Sequence, residues 1–274
     1  MANKRRKAIS KDRPWRRYVA IGDSTTEGLD DLDEAGNYRG WADRLAEAIA
    51  THQGSLEYAN LAIRGRKTVE IRDEQLPIAL RLKPDLATVV AGMNDLLLPT
   101  FDPAAVAAEV EGMFRAFRKI GATVLTFTMP DPTPNLPFTG VFQPRLRAFN
   151  EEIRQSARRA GAVLVDIAAY PSQSDPRLWS DDRLHGNSAG HVLVAHALAH
   201  GLAIPGFDGS WIDPLPDADA RPALPSAVLA ELSWAQQHAL PWLWRTVRGR
   251  SAGDGLSPKY AEPVHLPEDS HPLT

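Results

Sequence analysis

The chain has 274 residues, of which 43% are hydrophobic and 24% charged, with a formal net charge of −3 and no cysteine. This length can bury one large core with an appendage, and the charge balance gives nucleic acid no global attraction. The lack of cysteine excludes a disulfide framework, thiol catalysis and zinc–thiolate sites, and it fits a reducing compartment.

Residues 1–16 read as a basic tail (Lys4, Arg5, Arg6, Lys7, Lys11). It resembles the start of a signal peptide, but charged Asp12, Arg13, Arg16 and Arg17 stand where the apolar core of such a peptide belongs. A solvated end and a cytoplasmic protein are therefore expected. The most apolar stretch, His191 to Ile204, is too short to span a membrane and carries His196 and His200.

Five apolar runs rich in β-branched residues follow, at about 17–21, 56–61, 86–91, 122–128 and 162–167. Helical patterns lie between them. The first spans 38–52 with Trp41, Leu45, Ala48 and Ile49 on one face, and others fall near 68–82, 103–119 and 143–160. A last helix starts near Asn187, a suitable N-cap, and ends near Gly201. Alternating strands and helices imply right-handed crossovers and a parallel sheet covered on both faces. The expectation is an α/β chain: a flavodoxin-like three-layer α/β/α fold with a five-stranded parallel sheet in the order 2-1-3-4-5.

Beyond about 205 the composition turns to Pro, Gly and Trp. Residues 17–204 thus read as the main domain and 205–274 as an extension, with a helical segment at about 226–248 and then an irregular tail. Trp234, Trp242 and Trp244 lie near Arg245, Arg248 and Arg250. That helix is expected to pack on its own domain, or alternatively to make a homodimer or membrane-surface contact.

In a doubly wound sheet all parallel strand C-termini share one edge, where ligands bind. The segments reaching that edge are Gly22-Asp23-Ser24, Asn60 to Gly65, Gly92-Met93-Asn94-Asp95, Pro130 to Phe142, and Asp181 to His185. Their contents suit acyl transfer. Ser24 needs an adjacent base to become a nucleophile. His185 titrates near neutrality and can serve. Asp182, three residues earlier, can orient it, and Asp181 is the rival with poorer spacing. Backbone N–H groups of Ser24 and Gly65 and the Asn94 amide are candidate oxyanion donors. Asp23 and Asp95 are expected to brace their loops. Apolar Leu96, Phe101, Phe138 and Phe142 are expected to line the substrate site.

Four blocks, Gly-Asp-Ser, Asn-x-Ala-x-x-Gly, Gly-x-Asn-Asp and Asp-x-x-His, occur here in order. Over about 17–203 the chain resembles the SGNH hydrolases, also called the GDSL lipase/esterase family. Ser24, Gly65, Asn94 and His185 match the four name-giving residues, and Thr25 stands where the family name has Leu. The resemblance implies a serine ester hydrolase that forms an acyl-enzyme on a small or lipid-like ester, with no metal and no cofactor. Carbohydrate O-deacetylase, lysophospholipase and thioesterase activities stay open, as does an idle binding protein on the same fold. The partner implied is a small-molecule ester, not nucleic acid.

Two patterns are set aside. Gly186-Asn-Ser-Ala-Gly190 fits a nucleophile elbow, but no strand precedes it and no acid and histidine follow suitably. His196 and His200 have metal-ligand spacing, but residue 197 is Ala and the helix is mostly apolar.

Overall fold

The computed structural model describes residues 15–135, 142–216 and 251–268. Five parallel strands, β1 (Arg17–Gly22), β2 (Ser55–Asn60), β3 (Leu86–Val90), β4 (Thr123–Phe127) and β5 (Val163–Val165), alternate with helices α1 (Ser24–Glu27), α2 (Gly40–Gln53), α3 (Thr68–Glu70), α4 (Leu76–Arg81), α5 (Met93–Leu96), α6 (Pro103–Lys119), α7 (Phe142–Ala160) and α8 (Ser188–Gly201). A π-helical turn over Ile71–Gln75 joins α3 to α4. The sheet order is β5-β4-β3-β1-β2-β6, so the expected order 2-1-3-4-5 is present and extended by one strand.

That sixth strand corrects the expectation of five strands and of an irregular tail. β6 (Tyr260–Pro267) comes from the C-terminal extension and pairs antiparallel with β2, Ser55 against Pro267 and Asn60 against Tyr260. Two prolines and the lack of a neighbouring helix mask it in the sequence. Proline is tolerated on an edge strand or at a bulge. Pro263 falls where the register shifts between Tyr58 and Asn60. The helical segment expected at 226–248, with its Trp/Arg stripe, lies outside the described residues.

Alternation along each strand feeds two cores. In β1, Tyr18 and Ala20 face α2 and α8, while Val19 and Ile21 face α6 and α7. The apolar face read on the first long helix is buried throughout: Trp41, Leu45, Ala48 and Ile49 are at most 3% exposed. Asn187 caps α8, accepting from the Gly190 N–H at 3.1 Å. No helix among the described residues is long and apolar enough to cross a membrane.

Candidate active site

The first strand ends in a turn gripped from both sides. The buried Gln75 amide accepts from the Gly22 N–H at 2.9 Å and donates to the Gly22 carbonyl at 2.9 Å. A Cβ on Gly22 would meet the Val90 carbonyl at 2.7 Å, so only glycine fits there. The chain then turns sharply. Asp23 caps α1 by accepting from the Thr25 N–H at 3.1 Å, which leaves Ser24 as the first helical residue, 7% exposed.

Ser24 Oγ lies 2.8 Å from His185 Nε2, and His185 Nδ1 lies 2.6 Å from Asp182 Oδ2. The other Asp182 oxygen accepts from Ser180 Oγ (2.7 Å) and from the Leu184 and His185 N–H groups (2.9 Å each). One short turn thus holds both the His185 ring and its carboxylate partner. Burial alone would lower the His185 pKa, but the hydrogen bond and charge of Asp182 raise it above the ordinary value. Burial pushes Asp182 up, yet its bonds to His185 outweigh this and hold the carboxyl well below the usual range. Asp181 is exposed, and the carboxylate bonded to His185 Nδ1 is that of Asp182. Burial lifts the pKa of Asp23 to about 6, against the Thr25 hydrogen bond and the nearby His185.

Gly65 sits at φ +74°, the left-handed region that glycine favours. The residue before it is tied down by Glu27, whose carboxylate accepts from the Arg64 N–H (2.8 Å) and from its guanidinium (2.6 Å). Asn94 bridges the blocks: its amide donates to Asp23 Oδ2 at 3.2 Å and to the Arg66 carbonyl at 3.0 Å. It therefore stands one residue from Ser24 and one from Gly65, with both amide hydrogens directed at protein acceptors. Asp95 braces the loop, accepting from the Thr68 N–H and hydroxyl at 2.9 Å each.

A largely apolar cavity of about 60 Å³ lies beside this group, its lining including Thr25, Met93, Leu184 and Gly186, chain neighbours of the site residues. Trp41, Phe127, Met129, Leu178, Trp179 and Val194 form its wall. Neutral His191 also lines it: burial lowers its pKa to about 4, and the Trp41 N–H donates to Nδ1 at 3.1 Å. Of the residues expected to line a substrate site, the described ones are not in the lining of this cavity. Leu96 is 3% exposed in the core, Phe101 and Phe142 pack against that core, and Phe138 lies outside the described residues. The wall residues come from separate segments, and no local pattern unites them.

The set-aside patterns have other partners. Ser188 donates to Asp31 at 2.6 Å. His196 accepts from the Asp208 N–H, and His200 accepts from the Trp211 indole at 3.1 Å. Among the described residues, the group with ligand atoms close enough for a metal is Asp30, Asp182 and His185, within 4.8 Å of one another. Two of its members are already bonded to each other.

A family model described as the GDSL-like Lipase/Acylhydrolase family matches residues 20–193. Solved structures share the fold. TesA is 22% identical, with 68% of this chain and 98% of that one covered at a TM-score of 0.57. An acetylxylan esterase from Geobacillus stearothermophilus is 17% identical, with 72% and 96% covered at 0.57. A lipase/acylhydrolase from Enterococcus faecalis is 22% identical, with 68% and 94% covered at 0.54. A search of curated proteins finds no match.

Proposed function

The chain belongs to the GDSL-like lipase/acylhydrolase family, and from that premise we propose a serine ester hydrolase in which Ser24 is the nucleophile, His185 the base and Asp182 its orienter. The observation that carries this reading is the continuous chain from Ser24 Oγ to His185 Nε2 (2.8 Å) and from His185 Nδ1 to Asp182 Oδ2 (2.6 Å).

His185 takes the hydroxyl proton as Ser24 Oγ bonds to the ester carbonyl carbon. Asp182 accepts from Nδ1–H, so the lone pair faces Ser24, and the carboxylate stabilises the imidazolium. The oxyanion meets the Ser24 and Gly65 N–H groups. Asn94 joins them by sharing a hydrogen now given to Asp23 or Arg66. The C–O bond to the alcohol breaks, and His185 returns its proton to the leaving oxygen. Water, deprotonated by His185, then releases the acid and restores Ser24. No step draws on a metal or cofactor.

The cavity beside Ser24 takes the acyl group in this reading. The cavity is small, about 60 Å³, and largely apolar in its lining. A short or medium acyl ester is favoured over a long lipid chain.

The test is p-nitrophenyl ester hydrolysis across acyl lengths, wild type beside Ser24→Ala. Turnover peaking at short or medium acyl length and vanishing in the variant is expected. No turnover at any length, with no fluorophosphonate label on Ser24, would leave a binding role as the better reading.

A further inference from the structure

β6 runs antiparallel to β2, so it begins at the edge where β2 ends. The residues before it, Ser251 to Lys259, therefore lie across the edge that holds Ser24. Lys259 enters the body of the protein there. Its ammonium donates to the carbonyls of Glu27 (2.8 Å), Tyr38 (2.9 Å) and Arg39 (3.1 Å) and pairs with the Asp43 carboxylate. The side chain is 14% exposed. Three donors meet four acceptors, and all four sit at the end of the nucleophile helix or the start of α2.

Glu27 links this anchor to the candidate oxyanion turn. Its carbonyl is held by Lys259, and its carboxylate holds the backbone and guanidinium of Arg64. Tyr38 acts in parallel, its carbonyl taken by Lys259 and its ring beneath the Arg64 guanidinium at 4.6 Å. The upstream part of the segment touches the same turn directly. A Cβ on Gly65 would lie 2.5 Å from Ser251 Oγ and 3.0 Å from the Ala252 nitrogen. A Cβ on Gly253 would collide with the Arg64 carbonyl and lie 2.7 Å from Ile63 Cγ2. Gly253 is absent from the positive-φ glycines, so close approach rather than backbone conformation calls for glycine there. The segment is also internally locked: the Ser251 N–H donates to Asp254 (3.0 Å), and the Gly253 N–H donates to Ser251 Oγ (3.2 Å).

We propose that Gly253 and Lys259, in the stretch that leads into β6, are positioning residues that hold the Arg64–Gly65 turn so that the Gly65 N–H is fixed as an oxyanion donor. The proposal rests on the esterase reading for the role of that donor. An edge strand that merely sealed the sheet would need neither the lysine anchor nor backbone contact with the turn. Oxyanion donors act through fixed placement, and a small displacement forfeits the effect.

The test uses full-length Gly253→Val, Gly253→Ala and Lys259→Met, with exposed Leu256→Ala as control. Gly253→Val and Lys259→Met are expected to lower kcat by about 10²-fold, the loss of one oxyanion donor. KM should change little, and the acid limb of the pH profile, which reports His185, should stay in place. Gly253→Ala should fall between, and Leu256→Ala should match wild type. Folded Gly253→Val and Lys259→Met proteins with wild-type kcat would overturn the proposal. Hydrogen exchange on the wild-type chain judges it even where variants fail to fold or no ester is turned over. Amides 62–66 should lose protection together with 251–268 as denaturant is raised below the global transition. Continued protection of 62–66 after 251–268 has opened would overturn the proposal and leave the esterase reading untouched. A wild type with no turnover and no label on Ser24 would fail that reading instead.

Discussion

Ser24 is flanked by two loops held in opposite ways. The His185 loop is self-contained: one Asp182 carboxylate collects Ser180 Oγ, two backbone N–H groups and the His185 ring, all within six residues. The Gly65 loop has some local bonds, Ala62 N–H to Asn60 Oδ1 (3.1 Å) and Arg66 N–H to the Ile63 carbonyl (3.4 Å), but distant segments also grip it. Glu27 holds it from 37 positions away, Asn94 from 28, and the C-terminal segment from far along the chain. On the proposed reading, the proton-transfer side of the site is thus set by a short turn, and the charge-stabilising side largely by the tertiary fold. The first should fail as a unit when any member is removed. The second should fail by degrees.

The largest expected effect tests the unit. Ser24→Ala and His185→Ala should each lower kcat by about 10⁶-fold, and the double variant by little more, because groups that act together are not additive. Losses that multiplied would break the comparison. Asp182→Asn comes next, at about 10⁴-fold, from the lost orientation of the ring. It also carries a pH signature. Only neutral His185 accepts the Ser24 proton, so kcat/KM should rise with pH through the His185 pKa. Asp182 raises that value above the ordinary one, placing the wild-type acid limb above about 6.5. Without the carboxylate, burial prevails and the limb should move to lower pH. A limb that stayed put in Asp182→Asn would show that the turn does not set the base.

Asn94→Ala addresses the other side. One donor is lost, for about 10²–10³ in kcat with KM nearly unchanged. Because Asn94 also spans Asp23 and Arg66, the melting temperature should fall as well. A loss as deep as that of Asp182→Asn would erase the contrast between the two loops.

The same contrast marks what the sequence disclosed. The five parallel strands and their order were legible because β-branched runs alternate with amphipathic helices. Ser24, Asp182 and His185 were legible because they sit in short blocks, which the strand-end rule then gathers at one edge. Gln75, which grips Gly22 from both sides, left no such trace, since it lies in a π-helical turn that departs from the 3.6-residue period. β6 was hidden by Pro263 and Pro267, and Lys259 by the long separation from its acceptors. Leu96, Phe101 and Phe142 pack in or against the core, and an apolar residue near a strand end serves the core as readily as a substrate.

The smallest expected effect belongs to neither loop and concerns which ester is taken rather than how fast the chemistry runs. Val194 is on α8, lines the cavity and also packs against the core. Val194→Phe should fill part of the roughly 60 Å³ without touching the hydrogen bonds of Ser24, His185, Gly65 or Asn94. Acetyl ester turnover should then match wild type, while kcat/KM for hexanoyl ester should fall about 10–200-fold, the range for one methylene's worth of apolar contact. Chain-length profiles of the two proteins, measured under identical conditions, decide it. Equal loss on both esters would mean that the substitution disturbed the His185 turn. An unchanged profile would place the acyl group outside this cavity.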